Sequence, residues 1–270
     1  MTAYELMIKT NHHLMQGGVF TAVQAQTITR KLLAARNPDT AQRFYTGVRY
    51  AHNTDAGGRR MYPEYYIPPY NEGKKYKTLM NVAPKTHILS ANLYELEILR
   101  LLYLLAPKHP DVLVMTTQTL TRLRTTCFGN QDDGMGECFD ASMLVLRFLA
   151  TTAPGETQWM QERIDSFHHH FDEKHRHWGV LWYFWLCLSE LPMALAEPEI
   201  QRYQEQIVKQ LQRSYVMNSP TDIVIHPVIV CVIRNVMARL PAYAYIKERK
   251  PYISERDNRL HLDIRPSLQI

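Results

Sequence analysis

Long apolar runs are missing from this chain. No stretch of the 270 residues reaches about 18 uninterrupted apolar positions, so no membrane span is expected. The opening, "MTAYELMIKTNHH", has no apolar run behind a basic region, which predicts no secretory signal. Cysteine is scarce. The four present, Cys127, Cys138, Cys187 and Cys231, lie far apart, and reduced thiols in a cytoplasmic protein are the natural reading. A Cys127–Cys138 disulfide is geometrically conceivable but is not expected in that compartment. Glycine is also low, at 11 residues, while leucine, methionine and alanine are plentiful, and that balance leans helical. Gly/Ser-rich linkers are absent, so residues 1–270 read as one continuous domain. No strong charge of one sign is present either. The formal net charge is +5 with acids and bases alternating, which permits an anionic partner without demanding one. A dedicated nucleic-acid binder carries a denser basic face.

What is there divides the chain into four stretches. In residues 1–47, the spacing predicts an amphipathic helix over 2–16, stopped by Gly17-Gly18. Thr21 and Gln24 form a capping-box signature ahead of a helix over 22–36, and Asn37-Pro38 leads into a third over 39–47. Residues 48–90 are rich in proline and tyrosine. "MYPEYYIPPYNEGKKYKTLM" has strand-like residues on either side of Asn71-Glu72-Gly73 and predicts a hairpin or an ordered loop, because aromatics at this density pack on something. In the tail, 247–270, Leu260, Leu262 and Ile264 alternate with polar residues and Asp257-Asn258 is a turn signal. That predicts a short hairpin, pairing with the tyrosine-rich one, before a frayed "RPSLQI".

Residues 91–246 carry an internal pattern. "EILRLLYLLAP" (97–107) aligns with "LVLRFLATTAP" (144–154) and, more loosely, with "VIRNVMARLP" (232–241). Arg100, Arg147 and Arg234 each stand seven residues before a proline, and "LCLSELPMALAEP" (186–198) lies between with Ser189 at the arginine position. Each copy is followed by a second amphipathic segment, over 110–126, 156–171 and 199–216, with Pro110 and Pro198 suited to first-turn positions. A helix pair every ~40–47 residues is the size of a HEAT- or armadillo-like unit. The fold class predicted is therefore all-α: stacked helical hairpins, a repeat array, with a small β-hairpin insertion. The competing expectation is a non-repetitive bundle in which the pattern recurs by chance. The likeness to helical-repeat proteins is one of period only.

Hairpins stacked in one sense place the N-termini of their first helices along one edge, where unpaired N–H groups gather. The residues predicted to open those helices are Ser90 and Asn92; Cys138 and Asp140; His175, His177 and Trp178; and His226. Three readings compete. Ser90, Asn92 and Asp140 are ordinary helix caps. Alternatively, Cys138, Asp140, His175, His177 and His226 are competent zinc ligands, although "FHHHFDEKHRHW" (167–178) matches no compact zinc motif. Or Cys138 is a nucleophile activated by a helix end, with His177 as base and Asp140 or Glu137 orienting it. Cys187 and Cys231 lie in apolar surroundings and read as buried. Asp132, Asp133 and Glu137 lack the full calcium-loop pattern and read as a solvated turn. The three repeat arginines either pair with nearby carboxylates or form a row of forks for anions, and their apolar neighbours favour the first.

The insertion interleaves Tyr65, Tyr66 and further tyrosines with Arg59, Arg60, Lys74, Lys75, Lys77 and Lys85. Such a mixture stacks bases and holds phosphates, covers a helical groove, or forms a protein-binding patch. The function expected is an interaction module for a protein or peptide segment, using Arg60, Tyr65, Tyr66, Lys74, Asn92 and Trp178. The alternatives are a zinc-assisted hydrolase or a cysteine-dependent enzyme at the rim, and single-stranded nucleic-acid binding.

Overall fold

A computed structural model describes residues 1–46, 62–66, 76–84, 87–130, 137–171 and 178–265. The described chain is mostly helical with one small sheet, so the all-α expectation holds. In chain order the helices are α1 (Ala3–Met15), α2 (Ala22–Ala34), α3 (Pro38–Thr46), α4 (His87–Leu105), α5 (Pro110–Leu123), α6 (Cys127–Asn130), α7 (Glu137–Thr152), α8 (Thr157–His170), α9 (Trp178–Leu188), α10 (Met193–Leu211) and α11 (Pro220–Met237). A 3₁₀ segment follows at Pro241–Ile246.

Local chemistry sets the ends. Thr2 with Glu5, Thr21 with Gln24 and Ser219 with Asp222 each form a capping box, in which side chain and backbone satisfy one another's free N–H groups. Gly17 takes φ 86 just past α1, while the amides of Gly17 and Gly18 return to the carbonyls of Leu14 and His13. That closure needs a residue tolerant of the left-handed region. Pro110 opens α5, where its missing N–H costs nothing. One proline and one helix start depart from expectation. Pro198 lies inside α10, which starts earlier, at Met193. Pro227 lies inside α11, because the Ser219 box starts that helix at Pro220. His226 accordingly sits in the second turn of α11 and does not open it.

α4 packs on α7, α7 on α9 and α9 on α11; each of α4, α7 and α9 also contacts the long helix that follows it. α9, "WGVLWYFWLCL", is apolar around its whole circumference, which a helix tolerates only inside a core. From Val180 to Leu188 all of its residues but Trp182 are buried. α1 and α2 lie against α4, and α1 also reaches α11. α11 is long and apolar enough to cross a membrane by length and composition, and half of it is buried inside the protein.

The tail hairpin forms as expected: β2 (Tyr252–Ser254) pairs antiparallel with β3 (Arg259–His261), turning at Asn258 with φ 51. Its further partner differs from the expected one. β3 pairs with β1 (Tyr215–Val216), in register Tyr215↔Leu260, and Arg259 Nε donates to Ser214 Oγ at 2.7 Å. Within 62–66 and 76–84 no strand forms, and the turn at Asn71-Glu72-Gly73 lies outside the described residues. The described parts of the insertion pack as braces. Tyr65 is buried and its hydroxyl donates to the Leu32 carbonyl at 3.0 Å. Tyr76, Tyr4 and Tyr94 meet edge-on with ring centroids 4.7–5.8 Å apart.

The centre holds a buried charge cluster. Arg147 of α7 makes a two-pronged bond to Glu190, at 3.0 and 2.8 Å, and bonds Glu97 of α4 at 2.7 Å. Arg100 of α4 reaches the same Glu190 at 2.6 Å. Both guanidiniums also approach Asn11 Oδ1 of α1, at 3.3 and 3.4 Å, and the Tyr183 hydroxyl of α9 donates to Glu97. Two cations and two anions leave the cluster neutral. Burial pushes the Glu190 carboxyl up, but Arg100 and Arg147 outweigh it and hold it below its ordinary range. Two of the three repeat arginines thus pair with carboxylates, and Glu190 directly follows Ser189, the position where the pattern lacks an arginine. Arg234 bonds instead to the Arg249 carbonyl, at 2.7 Å, and to Asn235.

Removing one partner leaves a buried charge uncompensated, which costs about 3–5 kcal/mol. We expect Arg147→Met to destabilise the chain by that order in urea unfolding followed by circular dichroism. Adding Glu97→Gln to it should restore part of the loss, since one neutral Arg100–Glu190 pair then remains. A double variant weaker than Arg147→Met alone would contradict this account.

Candidate functional site

The expected edge exists in part. The first two turns of α4, α7 and α9 meet around one cavity, lined by Leu89, Asp140, Met143, Leu144, Val180 and Tyr183 together with Thr78 and Val82. The three helices therefore start at the same end of the molecule. The cavity encloses about 20 Å³, room for a single water. Asp140 and Tyr183 both line it, and residues 131–136 and 172–177, next to the starts of α7 and α9 in sequence, lie outside the described residues. His226 is elsewhere: its Nδ1 lies 2.9 Å from the Val216 carbonyl and its ring lies beside Tyr215 and Asp222.

The remaining candidates separate in the same way. Cys138, in the first turn of α7, is buried with its Sγ 3.6 Å from that of Cys127. Tyr65 is a core residue, too enclosed to meet a partner, and Tyr66 is half-buried with its backbone bonded at both ends to the Asn37 side chain. Trp178 opens α9, and its side chain lies outside the described residues, as do Arg60, Lys74, His175 and His177 entirely. Among the described residues no three His, Cys, Asp or Glu side chains are grouped to hold a metal ion. Of the other cysteines, Cys187 is fully buried and its thiol donates to the Met143 carbonyl at 3.3 Å; burial pushes that thiol up.

Asn92 belongs to a second buried network on α4. Its Oδ1 accepts from Arg122 at 3.1 Å, and Arg122 lies 3.8 Å from Glu95. The Glu95 carboxylate accepts the backbone N–H groups of Glu64 and Tyr65 at 3.0–3.1 Å and the Thr119 hydroxyl at 3.3 Å. One carboxylate thereby ties the insertion to α4 and α5.

A described groove with more room lies between α1 and α2, where the sequence predicted two helices. Leu6, Lys9, Thr10 and His13 form one stripe on α1; Phe20, Val23, Gln24, Thr27 and Ile28 form the facing stripe, and Met1 closes one end. The groove encloses about 420 Å³ and is lined mainly by apolar surface. Leu6 and Ile28 make its floor, while Val23 is 73 % exposed and the neighbouring Val19 84 %. Lys9 and His13 are exposed on the α1 wall. The signal available in the sequence was Val19 and Val23, apolar residues on a face that the period of α2 turns outward. A second, more polar cavity of about 450 Å³ lies beyond α2, lined by Thr29, Arg30 and His109 among others.

Glu95 generates a pH dependence. Burial raises its pKa from 4.5 to about 7, against the pull of Arg122 and of the Glu64 and Tyr65 amides. Between those two values the folded chain keeps a proton that the unfolded chain has released. Its contribution to stability is complete below the lower value and is lost as pH rises through the upper one. We expect the urea midpoint of the wild type to fall more steeply between pH 4.5 and about 7 than that of Glu95→Gln. Equal slopes would show that Glu95 does not titrate there.

No protein-family model, curated protein or solved structure matches the chain.

Proposed function

We propose that this chain is an interaction module that holds an amphipathic peptide helix of a partner protein in the groove between α1 and α2. The observation that carries the reading is the groove itself: two facing stripes, an apolar floor, exposed valines at the lip, and enough room for two or three side chains. An apolar helix face laid into such a groove is a recurring mode of peptide recognition, with anchors at i, i+3 or i+4, and i+7. Lys9 on one wall favours a peptide with a carboxylate along that flank. A cytoplasmic setting accompanies this proposal, in keeping with the four thiols.

The finer architecture goes with it. We read α4–α5, α7–α8 and α9–α10 as three hairpins of a HEAT- or armadillo-like stack. Support comes from the chain of contacts α4 to α7 to α9, from the common end at which these helices start, and from Arg100 and Arg147, one period apart, binding the same carboxylate. The end of such a stack needs a polar outer face to stay soluble. The turn before α2 and α2 itself instead expose Val19 and Val23, as expected of a face that meets a partner.

The test is a selection of displayed amphipathic helical peptides on the immobilised full chain. We expect the wild type to enrich peptides with spaced apolar anchors. Val23→Asp is an exposed change that spares the fold, and it should weaken those peptides by roughly 10-fold or more, the effect of losing one central contact. Enrichment of no peptide, or equal binding to the variant, removes the proposal.

A further inference from the structure

The cysteine pair at the start of α7 is the feature that the groove does not use. Cys127 and Cys138 stand eleven positions apart in sequence with sulfurs 3.6 Å apart, against about 2.05 Å in a disulfide. Both are on anchored elements. α6, which Cys127 opens, is held from two sides: Trp159 Nε1 donates to the Gly129 carbonyl at 2.5 Å, and Arg163 donates to that of Asn130 at 2.6 Å. Gly129 has no room for a side chain, since a Cβ there would lie 2.1 Å from the Leu123 carbonyl oxygen. Cys138 is in the first turn of α7, which packs directly on α6. The approach of the two sulfurs is thus imposed by the α5–α6–α8 framework. Access is unequal, with Cys127 half-buried and Cys138 8 % exposed.

We propose that Cys127 and Cys138 are a reversible dithiol–disulfide pair, oxidised by exchange with a low-molecular-weight disulfide such as glutathione disulfide. The more accessible Cys127, as thiolate, attacks one sulfur of the small disulfide; that S–S bond breaks and the first small thiolate leaves. Cys138, deprotonated, then attacks the Cys127 sulfur of the mixed disulfide and expels the second. The protein loses two electrons and two protons, and one small disulfide becomes two thiols. The new bond ties α6 to the first turn of α7, two residues before Asp140. Cys187 and Cys231 are buried in the core and take no part. This assignment is independent of the α1–α2 groove.

The experiment equilibrates the full chain in glutathione buffers of rising oxidised fraction, quenches with iodoacetamide, and maps peptides without reduction. The expected result is one linked peptide joining Cys127 to Cys138, a mass loss of two hydrogens, full reversal by dithiothreitol, and a thermal midpoint raised by roughly 5 °C in the oxidised form. Cys127→Ser and Cys138→Ser should each abolish the linked peptide; the wild-type map stands if either variant fails to fold. Stable glutathione adducts on Cys127 without closure, or two freely alkylated thiols at every ratio, overturn the proposal. So does stoichiometric zinc that protects both thiols, which would make the sulfurs metal ligands.

Discussion

The charges of Arg147, Arg100, Glu97 and Glu190 are the constraint on which the interior depends. Burying one such ion alone costs several kcal/mol, and mutual attraction offsets this only when geometry is good and remaining donors and acceptors are filled. Here the filling comes from four directions. α4 supplies Glu97 and Arg100, α7 supplies Arg147, the turn after α9 supplies Glu190, and α1 and α9 add Asn11 and Tyr183. A helix shifted by one residue would turn its charged side chain away from the cluster. Apolar packing tolerates many near-equivalent arrangements; this cluster selects among them. The constraint is not perfectly met, because Arg100 Nε stays buried without a partner.

α4 serves two networks at once. Residues 97 and 100 face the central cluster, whereas Asn92 and Glu95 face Arg122 and the insertion. The insertion is fixed by its backbone: the amides of Glu64 and Tyr65 bond one carboxylate, and the carbonyl of Lys77 receives the Tyr4 hydroxyl at 3.3 Å. Tyr65 is buried and Tyr76 packs on Tyr4 and Tyr94 for the same reason. A loop that must satisfy its polar groups against a helix bundle brings its rings along. Tyr65 therefore became part of the core, although tyrosine beside basic residues reads equally well as a surface for partners.

What was legible in the sequence follows from the range of the interactions. Capping at Thr21, the stop at Gly17 and the turn at Asn258 depend on residues within a few positions, and each is where local chemistry placed it. The recurring Arg–x6–Pro pattern correctly singled out Arg100 and Arg147, and their apolar neighbours correctly pointed to pairing with carboxylates. That both would share Glu190 was not readable, since the partner lies 43 residues or more away and nothing local marks it. Pro198 and the start of α11 were misplaced because a proline or a polar residue signals a first turn only when no stronger start precedes it; the Ser219 box is such a start for α11. The partner of the tail hairpin was missed because β1 is two residues long, too short to leave a period. The shared lining of Leu89, Asp140 and Val180 puts the starts of α4, α7 and α9 at one end, but the space between helix starts depends on how closely side chains far apart in sequence close over it.

That last point separates the helix starts from the α1–α2 face. Met143, Leu144, Val180 and Tyr183 fill the end of the bundle down to one water's volume, and Tyr183 is also committed to Glu97. Opening this end would strip Glu97 of one of its donors, so the charge cluster resists it. α1 and α2 are under a looser constraint. α1 is held through Asn11, His12 and Tyr4 along one side, which leaves its other stripe, Leu6 to His13, facing only α2. The two helices meet at the Gly17-Gly18 turn and diverge enough to leave a groove, and neither brings a buried charge into it. Leu6, Phe20, Val23 and Ile28 line the groove on the α1–α2 face, whereas the helix starts are coupled through Tyr183 to the central charge cluster.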